Sequence, residues 1–276
     1  MTDSTCDFDQ AYLREHNVTV LPLTVNLGGN AYTDDGAEIT PDDIFAHVAN
    51  GGDLPKTSAI NTEDFRQAFT EALKSCDAII YFAIGAEFSS CYANAVVASK
   101  GLPVYCVDSR NLCCSIGLLI AEAVDMLEAG CDDPQAIVDH CTAMTDKVDG
   151  SFILNRLDYL YKGGRCSMVS MLGANMLNLK PCIEVVDGRM IVGRKFRGSY
   201  DRCVKQYIED RMHDPDTISG KRICIVSTGL KPEQLDVIRG MVESRKHFDQ
   251  VFVLRAGSTI SCHCGENTMG IFFCRE

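Results

Sequence analysis

Hydrophobic and polar residues follow two rhythms along the first half of the chain. Short apolar runs at 18–25, 78–83 and 104–107 have the length and composition of buried strands, and the segments 62–73 and 115–128 repeat apolar residues at helical spacing. Strands that alternate with helices predict a parallel sheet with helices on both faces. The first half is therefore predicted to be a three-layer α/β unit.

The second half has a different pattern, in which predicted strands follow one another more closely. Asp187-Gly188 favours a two-residue hairpin turn, and Asp133-Pro134 marks the start of the helix that precedes this half and ends near Met144. The other predicted elements are strands at 151–154, 222–227, 250–254 and 269–273 and helices at 168–177, 200–211 and 232–245. These elements predict a mixed sheet.

The polar segment 146–150 separates the two patterns. The chain is thus predicted to be an α/β protein of two domains, a three-layer parallel-sheet domain at 1–148 and a mixed-sheet α/β domain at 149–276. The turn Asp3-Ser4-Thr5 is typical of a loop at the carboxyl end of a strand, yet Met1 and Thr2 leave no residues for that strand. We expect about five or six further residues upstream in the native protein.

Charge and hydropathy limit the partners of this chain. Its formal net charge of −12 opposes binding to nucleic acid and to anionic lipid surfaces, both of which need clustered Lys and Arg. The 276 residues contain no apolar run of 18 residues, and the first residues lack the basic and apolar segments of a signal peptide. We expect a cytoplasmic protein without a nucleic-acid partner and without stable membrane insertion.

The fifteen cysteines are odd in number, spread along the chain and mostly embedded in apolar runs, which indicates reduced core residues rather than a disulfide framework. No Cys-x-x-Cys pair occurs. Cys262-His263-Cys264 is the one tempting cluster, but on extended backbone its cysteines would face one way and its histidine the other. No metal site is therefore expected.

Candidate ligand-binding chemistry lies where the strand at 78–83 leads through a short loop into a helix. Ser89 and Ser90 stand at that helix start, where free backbone N–H groups and hydroxyls suit a carboxylate or a phosphate. A plain capping role is the alternative. Thr57 and Ser58 form a second hydroxyl pair before a helix, and the loops at Ser4-Thr5 and Asp108-Ser109 are predicted to reach the same edge of the sheet.

Several blocks of residues resemble, in order and spacing, those of one known family. In the first half they are Thr2-Asp3-Ser4-Thr5-Cys6-Asp7, Lys56-Thr57-Ser58, Phe88-Ser89 with Tyr92, and Val107-Asp108-Ser109. In the second half they are the segment 157–165 with Gly163-Gly164-Arg165, Asn178-Leu179-Lys180-Pro181, Asp187-Gly188, Lys195-Phe196-Arg197-Gly198 and His263-Cys264-Gly265. Over essentially its whole length the chain resembles the DegV family of bacterial fatty-acid-binding proteins.

The resemblance implies a long-chain fatty acid, such as palmitate, stearate or oleate, held in an apolar tunnel without a cofactor and without chemical change. By position, Thr57 and Ser89 would hold the carboxylate, with Ser58, Ser90 and His263 beside them. Arg165 and His263 would lie near the carboxylate or on a docking surface for a separate fatty acid kinase, which would phosphorylate the acyl group. The candidate tunnel residues are Phe88, Met168, Leu172 and Met176.

The chain departs from the family pattern at two points. Ser89-Ser90-Cys91 stands where the family has Ser-Gly-Thr, and a residue with a Cβ resists positive φ. The Gly-Pro-Gly stretch after the family's histidine is replaced by Gly265-Glu266-Asn267, which puts the docking role of the His263 loop in question.

Two other functions are compatible with the same residues. A serine hydrolase or acyltransferase would use Ser89 as the nucleophile and His263 as the base, although the Gly-x-Ser-x-Gly elbow is absent. A phosphate-binding protein would use the same helix start, although no Gly-x-x-x-x-Gly-Lys-[Ser/Thr] loop occurs.

Overall fold

The computed structural model describes residues 1–165 and 179–276. Its strands, in chain order, are β1 (Thr2–Asp3), β2 (Val20–Leu21), β3 (Thr24–Leu27), β4 (Asn30–Thr33), β5 (Lys56–Ser58), β6 (Ile79–Ala83), β7 (Val104–Asp108), β8 (Val148–Ile153), β9 (Leu179–Val186), β10 (Arg189–Arg197), β11 (Ile218–Ser227), β12 (Gln250–Arg255) and β13 (Met269–Arg275). Its α-helices are α1 (Gln10–Glu15), α2 (Pro41–Ala49), α3 (Thr62–Ala72), α4 (Cys91–Ala98), α5 (Cys114–Glu128), α6 (Pro134–Met144), α7 (Asp158–Lys162), α8 (Tyr200–Arg211), α9 (Pro232–Glu243) and α10 (Ser258–Cys264). Single 3-10 turns span Ser4–Cys6 and Pro215–Thr217.

The strands within residues 1–165 and 179–276 form three sheets. A parallel sheet has the order β2-β1-β6-β7, and a mixed sheet has the order β10-β9-β8-β13-β11-β12, in which only the β11–β12 pair is parallel. A small antiparallel sheet has the order β4-β3-β5. The α/β class with a parallel sheet followed by a mixed sheet is confirmed.

Helix α5 joins the two large sheets into one core. Ten of its residues are buried, and it packs against β6 of the parallel sheet and against β8, β11 and β13 of the mixed sheet. Helices α8 and α9 pack against each other, and a second apolar cluster contains buried residues from both helices and from strands of the mixed sheet. The predicted division at residues 148 and 149, where β8 begins, stays a prediction.

Local sequence signals match the structure where they are strongest. Asp187 and Gly188 adopt φ values of 50° and 75°, as a two-residue hairpin turn between β9 and β10 requires. Asp133 accepts a hydrogen bond from Gln135 N at 3.0 Å and so caps α6, which begins at Pro134. Both elements are as predicted.

The single strand predicted at 18–25 is wrong. The segment forms β2 and β3 in two different sheets, with a break at Pro22-Leu23. Proline has no N–H for a sheet ladder, and Leu23 N donates instead to Ser4 Oγ at 3.0 Å. The antiparallel β4-β3-β5 sheet that results was not predicted.

Near the N-terminus, the turn at Ser4–Cys6 does follow a strand. Thr2 and Asp3 pair with Val20 and Leu21 of β2, and the Met1 amino group donates to Ile80 O at 2.7 Å. The expectation that too few residues remain for any strand is therefore wrong, and the predicted upstream extension stays a prediction.

The Cys262-His263-Cys264 segment is helical, not extended as the sequence suggested. It ends α10, whose first backbone N–H groups are satisfied by two carboxylates: Asp7 accepts from Gly257 N, and Asp34 accepts from Ser258 N and Thr259 N. Within 1–165 and 179–276, no group of three or more His, Cys, Asp or Glu side chains is placed to hold a metal ion. No helix in these two ranges is long and apolar enough to cross a membrane.

Candidate ligand-binding site

A cavity of about 110 Å³ lies where the two halves of the chain meet. Five of the residues predicted to surround a ligand head group line it, namely Thr57, Ser89, Ser90, Arg165 and His263, and so does the predicted tunnel residue Phe88. The other lining residues in the part of the chain that the structure describes are Leu23, Ala59, Ile84, Leu112, Leu160, Met190, Thr259, Ile260 and Cys264. The structure thus brings most of the predicted site together, across more than 200 positions of sequence.

The alternation of side chains along β5 determines which of its two hydroxyls reaches the cavity. Successive side chains of a strand point to opposite faces, and Thr57 is half-buried between the exposed Lys56 and Ser58. Thr57 Oγ1 lies 2.8 Å from His263 Nε2, within hydrogen-bond distance. Ser58 Oγ instead accepts a hydrogen bond from Asn26 Nδ2 at 3.2 Å and is not among the cavity residues. Of this pair, only Thr57 lies in the site.

The loop between β6 and α4 holds Ser89 and Ser90 in different roles. Ser89 Oγ accepts a hydrogen bond from Cys91 N at 3.3 Å, so it caps the first turn of α4 while it lines the cavity. Ser90 is exposed, and its side chain makes no capping bond to α4. Its φ of −77° is ordinary, so the serine at this family glycine position does not strain the turn.

His263 provides a neutral imidazole rather than a positive charge. Burial, together with the nearby Arg165 guanidinium, lowers the pKa of His263 to about 4. Its Nδ1 atom is buried without a hydrogen-bond partner among the residues that the structure describes. The ring also packs closely on Gly163, where a Cβ would lie 2.5 Å from Nδ1. His263 is thus held between Thr57 and Gly163.

Arg165 lies at the exposed rim of the cavity. Its guanidinium donates to Gly163 O at 2.7 Å, and its side chain is open to solvent. It provides a positive charge close to the hydroxyls in a chain whose net charge is −12.

The interior of the cavity is apolar and continues towards the mixed sheet. Leu112, Ile260 and Cys264 line both this cavity and a second one of about 20 Å³. The second cavity is bounded further by Cys113, Phe152, Val226, Ser227, Thr228, Ala256, Thr268, Gly270 and Phe272. The shared residues place the two cavities side by side, so that apolar side chains form a path from the hydroxyls to the core. This apolar path was missed because its residues have the periodicity of any buried strand or helix. The predicted tunnel residues Met168, Leu172 and Met176 lie outside the described residues.

The other hydroxyl-rich loops do not reach this cavity. Ser4 Oγ donates to Asp34 Oδ2 at 2.8 Å, and Thr5 Oγ1 donates to Asp3 Oδ1. Ser109 Oγ donates to Asn111 O at 3.0 Å within its own turn. These hydroxyls stabilise local backbone and are not among the cavity residues.

The chain matches one family of known proteins over its whole length. The model of the DegV family, described as "Uncharacterised protein, DegV family", matches residues 1–276. A DegV domain-containing protein of Caldanaerobacter subterraneus subsp. tengcongensis is 28% identical over 276 residues, which cover 99% of this chain and 97% of that protein.

Two solved structures have the same fold over nearly their whole length. A DegV family protein from Thermus thermophilus, described as fatty acid binding, has a TM-score of 0.91 and 27% identity over 100% of this chain and 98% of that one. A stearic acid-binding protein from Eubacterium ventriosum has a TM-score of 0.88 and 25% identity over 99% of this chain and 97% of that one. With the family model matching from end to end, the chain belongs to the DegV family.

Proposed function

We propose that the protein binds a long-chain fatty acid, with the carboxylate at Thr57 and Ser89 and the tail in the apolar path towards the mixed sheet. The observation that carries the proposal is a single cavity with hydroxyls and an imidazole at its half-exposed end and apolar walls inside. The relatives described as fatty acid binding support the same ligand class.

The polar end of the cavity suits a carboxylate better than a cation. His263 is neutral near pH 7 because its pKa is about 4, so it can donate from Nε2 to Thr57 Oγ1. The Thr57 O–H is then free to donate to a ligand oxygen. Ser89 accepts from Cys91 N, and its own O–H can turn from the neighbouring Cys91 thiol to the second oxygen. Two hydroxyl donors with Arg165 nearby form a site for an anion.

The tail supplies most of the binding free energy in this proposal. Burying about fourteen methylenes of a sixteen-carbon acid contributes around 11 kcal/mol in total, at ~0.8 kcal/mol each. Each hydrogen bond to the charged head group contributes about 1.5–3 kcal/mol before the carboxylate loses its water. The tail therefore sets affinity, and the hydroxyls set orientation.

The protein acts as a carrier for a separate fatty acid kinase and does not itself transform the ligand. Ser90 and Arg165 are exposed at the cavity rim, which supports access of a partner to the carboxylate. His263 is hydrogen-bonded to Thr57, whereas a serine hydrolase needs its base on the nucleophile. An activated-serine probe tests this point: selective labelling of Ser89 would favour a hydrolase or acyltransferase.

The direct test is organic extraction of the purified protein followed by mass spectrometry. We expect one co-purified fatty acid per chain in the wild type and weaker retention of it in the double variant Thr57→Ala, Ser89→Ala. Ser58→Ala should retain the lipid, since that hydroxyl bonds Asn26 outside the cavity. No stoichiometric lipid, together with no rebinding of added fatty acid, would refute the proposal.

Presentation to a kinase has its own test. A purified fatty acid kinase with ATP should convert the acid bound to the wild-type protein into an acyl phosphate. Arg165→Ala should slow that conversion more than it reduces the amount of bound acid. Equal rates in the wild type and in this variant would contradict a docking role for Arg165.

A further inference from the structure

Strand β12 ends the mixed sheet, and the edge that it turns away from β11 has no strand beside it within residues 1–165 and 179–276. It pairs with β11 through six consecutive residues, from Gln250 to Arg255, without a bulge. An edge strand presents unpaired backbone N–H and C=O groups, which can pair with a further strand. The outer edge of β12 therefore offers regular backbone pairing to another strand.

Two other edge strands carry features that oppose such pairing, and β12 lacks them. At the opposite end of the mixed sheet, β10 carries four cationic side chains, and its register with β9 shifts between Val192 and Lys195. In the parallel sheet, the edge strand β2 is only two residues long. Charges, bulges and short length all protect a sheet edge from association. The apolar run 251–254 in β12 has none of these protections.

Opposite charges flank this apolar run. Asp249 directly precedes β12 and is exposed, and its carboxylate has no hydrogen bond or ion pair among the described residues. Arg255 ends the strand with 49% of its side chain exposed, and it pairs with the exposed Asp42. A guanidinium has five N–H donors, so Arg255 can bind a second carboxylate. With Val253 37% exposed between them, the edge has an acid at one end, a base at the other and an apolar centre.

Two copies of such a strand complement each other when they pair antiparallel about a two-fold axis perpendicular to the sheet. Directly opposed side chains then lie on the same face, so the axis passes beside one residue of the strand. With Phe252 at the axis, Val251 faces Val253 of the second copy, and Asp249 faces Arg255 of the second copy. An axis one residue earlier or later sets Asp249 against an uncharged residue. The charges therefore select the register centred on Phe252.

From this complementarity we propose that the protein forms a homodimer through its β12 edges, which join the two mixed sheets into one. The partner is a second copy of this chain, because the two-fold contact joins an acid to a base twice and an apolar centre to itself. Aromatic, β-branched and opposite-charge cross-strand pairs each stabilise antiparallel pairing. Asp249, Phe252 and Arg255 do not line the ligand cavity, so the interface is independent of the fatty-acid proposal.

Charge reversal at the two ends of β12 tests this interface by sedimentation velocity of the full-length protein over a range of concentrations. We expect the wild type to shift from monomer to dimer as the concentration rises. Asp249→Arg and Arg255→Asp each set like charges against each other twice, so each variant alone should dimerise about tenfold more weakly. In an equimolar mixture of the two variants, opposite charges face each other again, so a mixed dimer should form as tightly as the wild-type dimer.

The control is Asp77→Arg, which makes the same charge change at an exposed residue before β6 of the parallel sheet and should dimerise as the wild type does. Thermal unfolding checks that each variant is folded; the Arg255–Asp42 pair is exposed, so its loss should affect the fold little.

Three outcomes would overturn the inference. A wild type that stays monomeric at every concentration would show that the β12 edge does not pair. A dimer that neither charge reversal weakens would use another surface. Two weakened variants that stay monomeric when mixed would exclude the register centred on Phe252.

Discussion

Replacing Gly163 by alanine should weaken ligand binding through His263. The φ of Gly163 is −69°, which alanine adopts freely, so the backbone dihedral angle itself does not disfavour the substitution. The added Cβ, however, would lie 2.5 Å from His263 Nδ1 and 2.9 Å from Tyr159 O, both closer than real Cβ contacts. The imidazole has to move, and its 2.8 Å contact with Thr57 Oγ1 has to lengthen or break.

The expected loss follows from that one contact. A hydrogen bond within a protein contributes about 0.5–1.5 kcal/mol net, and this bond orients the Thr57 hydroxyl towards the ligand. Loss of that orientation should weaken fatty-acid binding by a similar free energy, which is about two- to tenfold in affinity. Titration calorimetry with a soluble fatty acid on the delipidated protein measures the change. Gly240→Ala in α9 is the matched control, because its Cβ meets no atom within 4 Å. That variant should bind as the wild type does.

A double-mutant cycle separates this mechanism from general damage to the fold. If Gly163→Ala acts by moving His263 away from Thr57, it should have little further effect in a Thr57→Val background, where the contact is already lost. Two results would refute the reasoning: an equal loss of fatty-acid affinity from Gly163→Ala in the Thr57→Val background, or wild-type affinity in the Gly163→Ala variant alone.

Two further predictions concern stability. Burial raises the pKa of the Asp7 carboxyl to about 8, above its value in the unfolded chain. Between roughly pH 4 and 8 the folded protein therefore binds more protons than the unfolded chain does. The free energy of unfolding should therefore fall as pH rises through that window, by up to about 1.4 kcal/mol per pH unit. In urea unfolding, Asp7→Asn should flatten this decline, and an equally steep decline in the variant would contradict the assignment of the raised pKa to Asp7. Arg222 is 8% exposed and donates to both carboxylate oxygens of Asp125. Arg222→Leu should therefore lower the free energy of unfolding by about 3 kcal/mol, a loss limited by Lys221, which still pairs with Asp125. Arg239→Ala removes an exposed helix pair and should lower the stability much less than Arg222→Leu in the same assay; similar losses for the two substitutions would contradict the distinction.

The sequence predicts elements well where the controlling interactions are local. Asp133-Pro134 starts a helix and Asp187-Gly188 forms a turn because each effect acts within a few residues. The small β4-β3-β5 sheet was not predicted, since its strands are short and their pairing joins distant segments. Pro22 shows the same limit. A proline interrupts a sheet where its missing N–H would have paired, and the sequence alone does not show which strand lies beside it.

For the site, residue types and spacing suggested an anion at a helix start but could not distinguish a cap from a ligand group. Ser89 shows why, because one oxygen both caps α4 and faces the cavity. The family resemblance predicted Thr57 and His263 as site residues. Local sequence patterns could not show that two residues so far apart in the chain lie in contact. Thr259 and the close contact at Gly163 depend on how α10 packs, and nothing in their immediate sequence signals either.

The proposed head-group site has a consequence for the order in which the protein folds. Thr57 and His263 are separated by 206 residues, and α10 packs against α2, β3 and β5 of the first half. Contacts between such distant residues require the largest loss of chain entropy, so this site should be among the last parts to form. A fatty acid that binds only the finished site should therefore slow unfolding and leave the rate of folding nearly unchanged. The bound ligand would thus increase the kinetic stability of the native state.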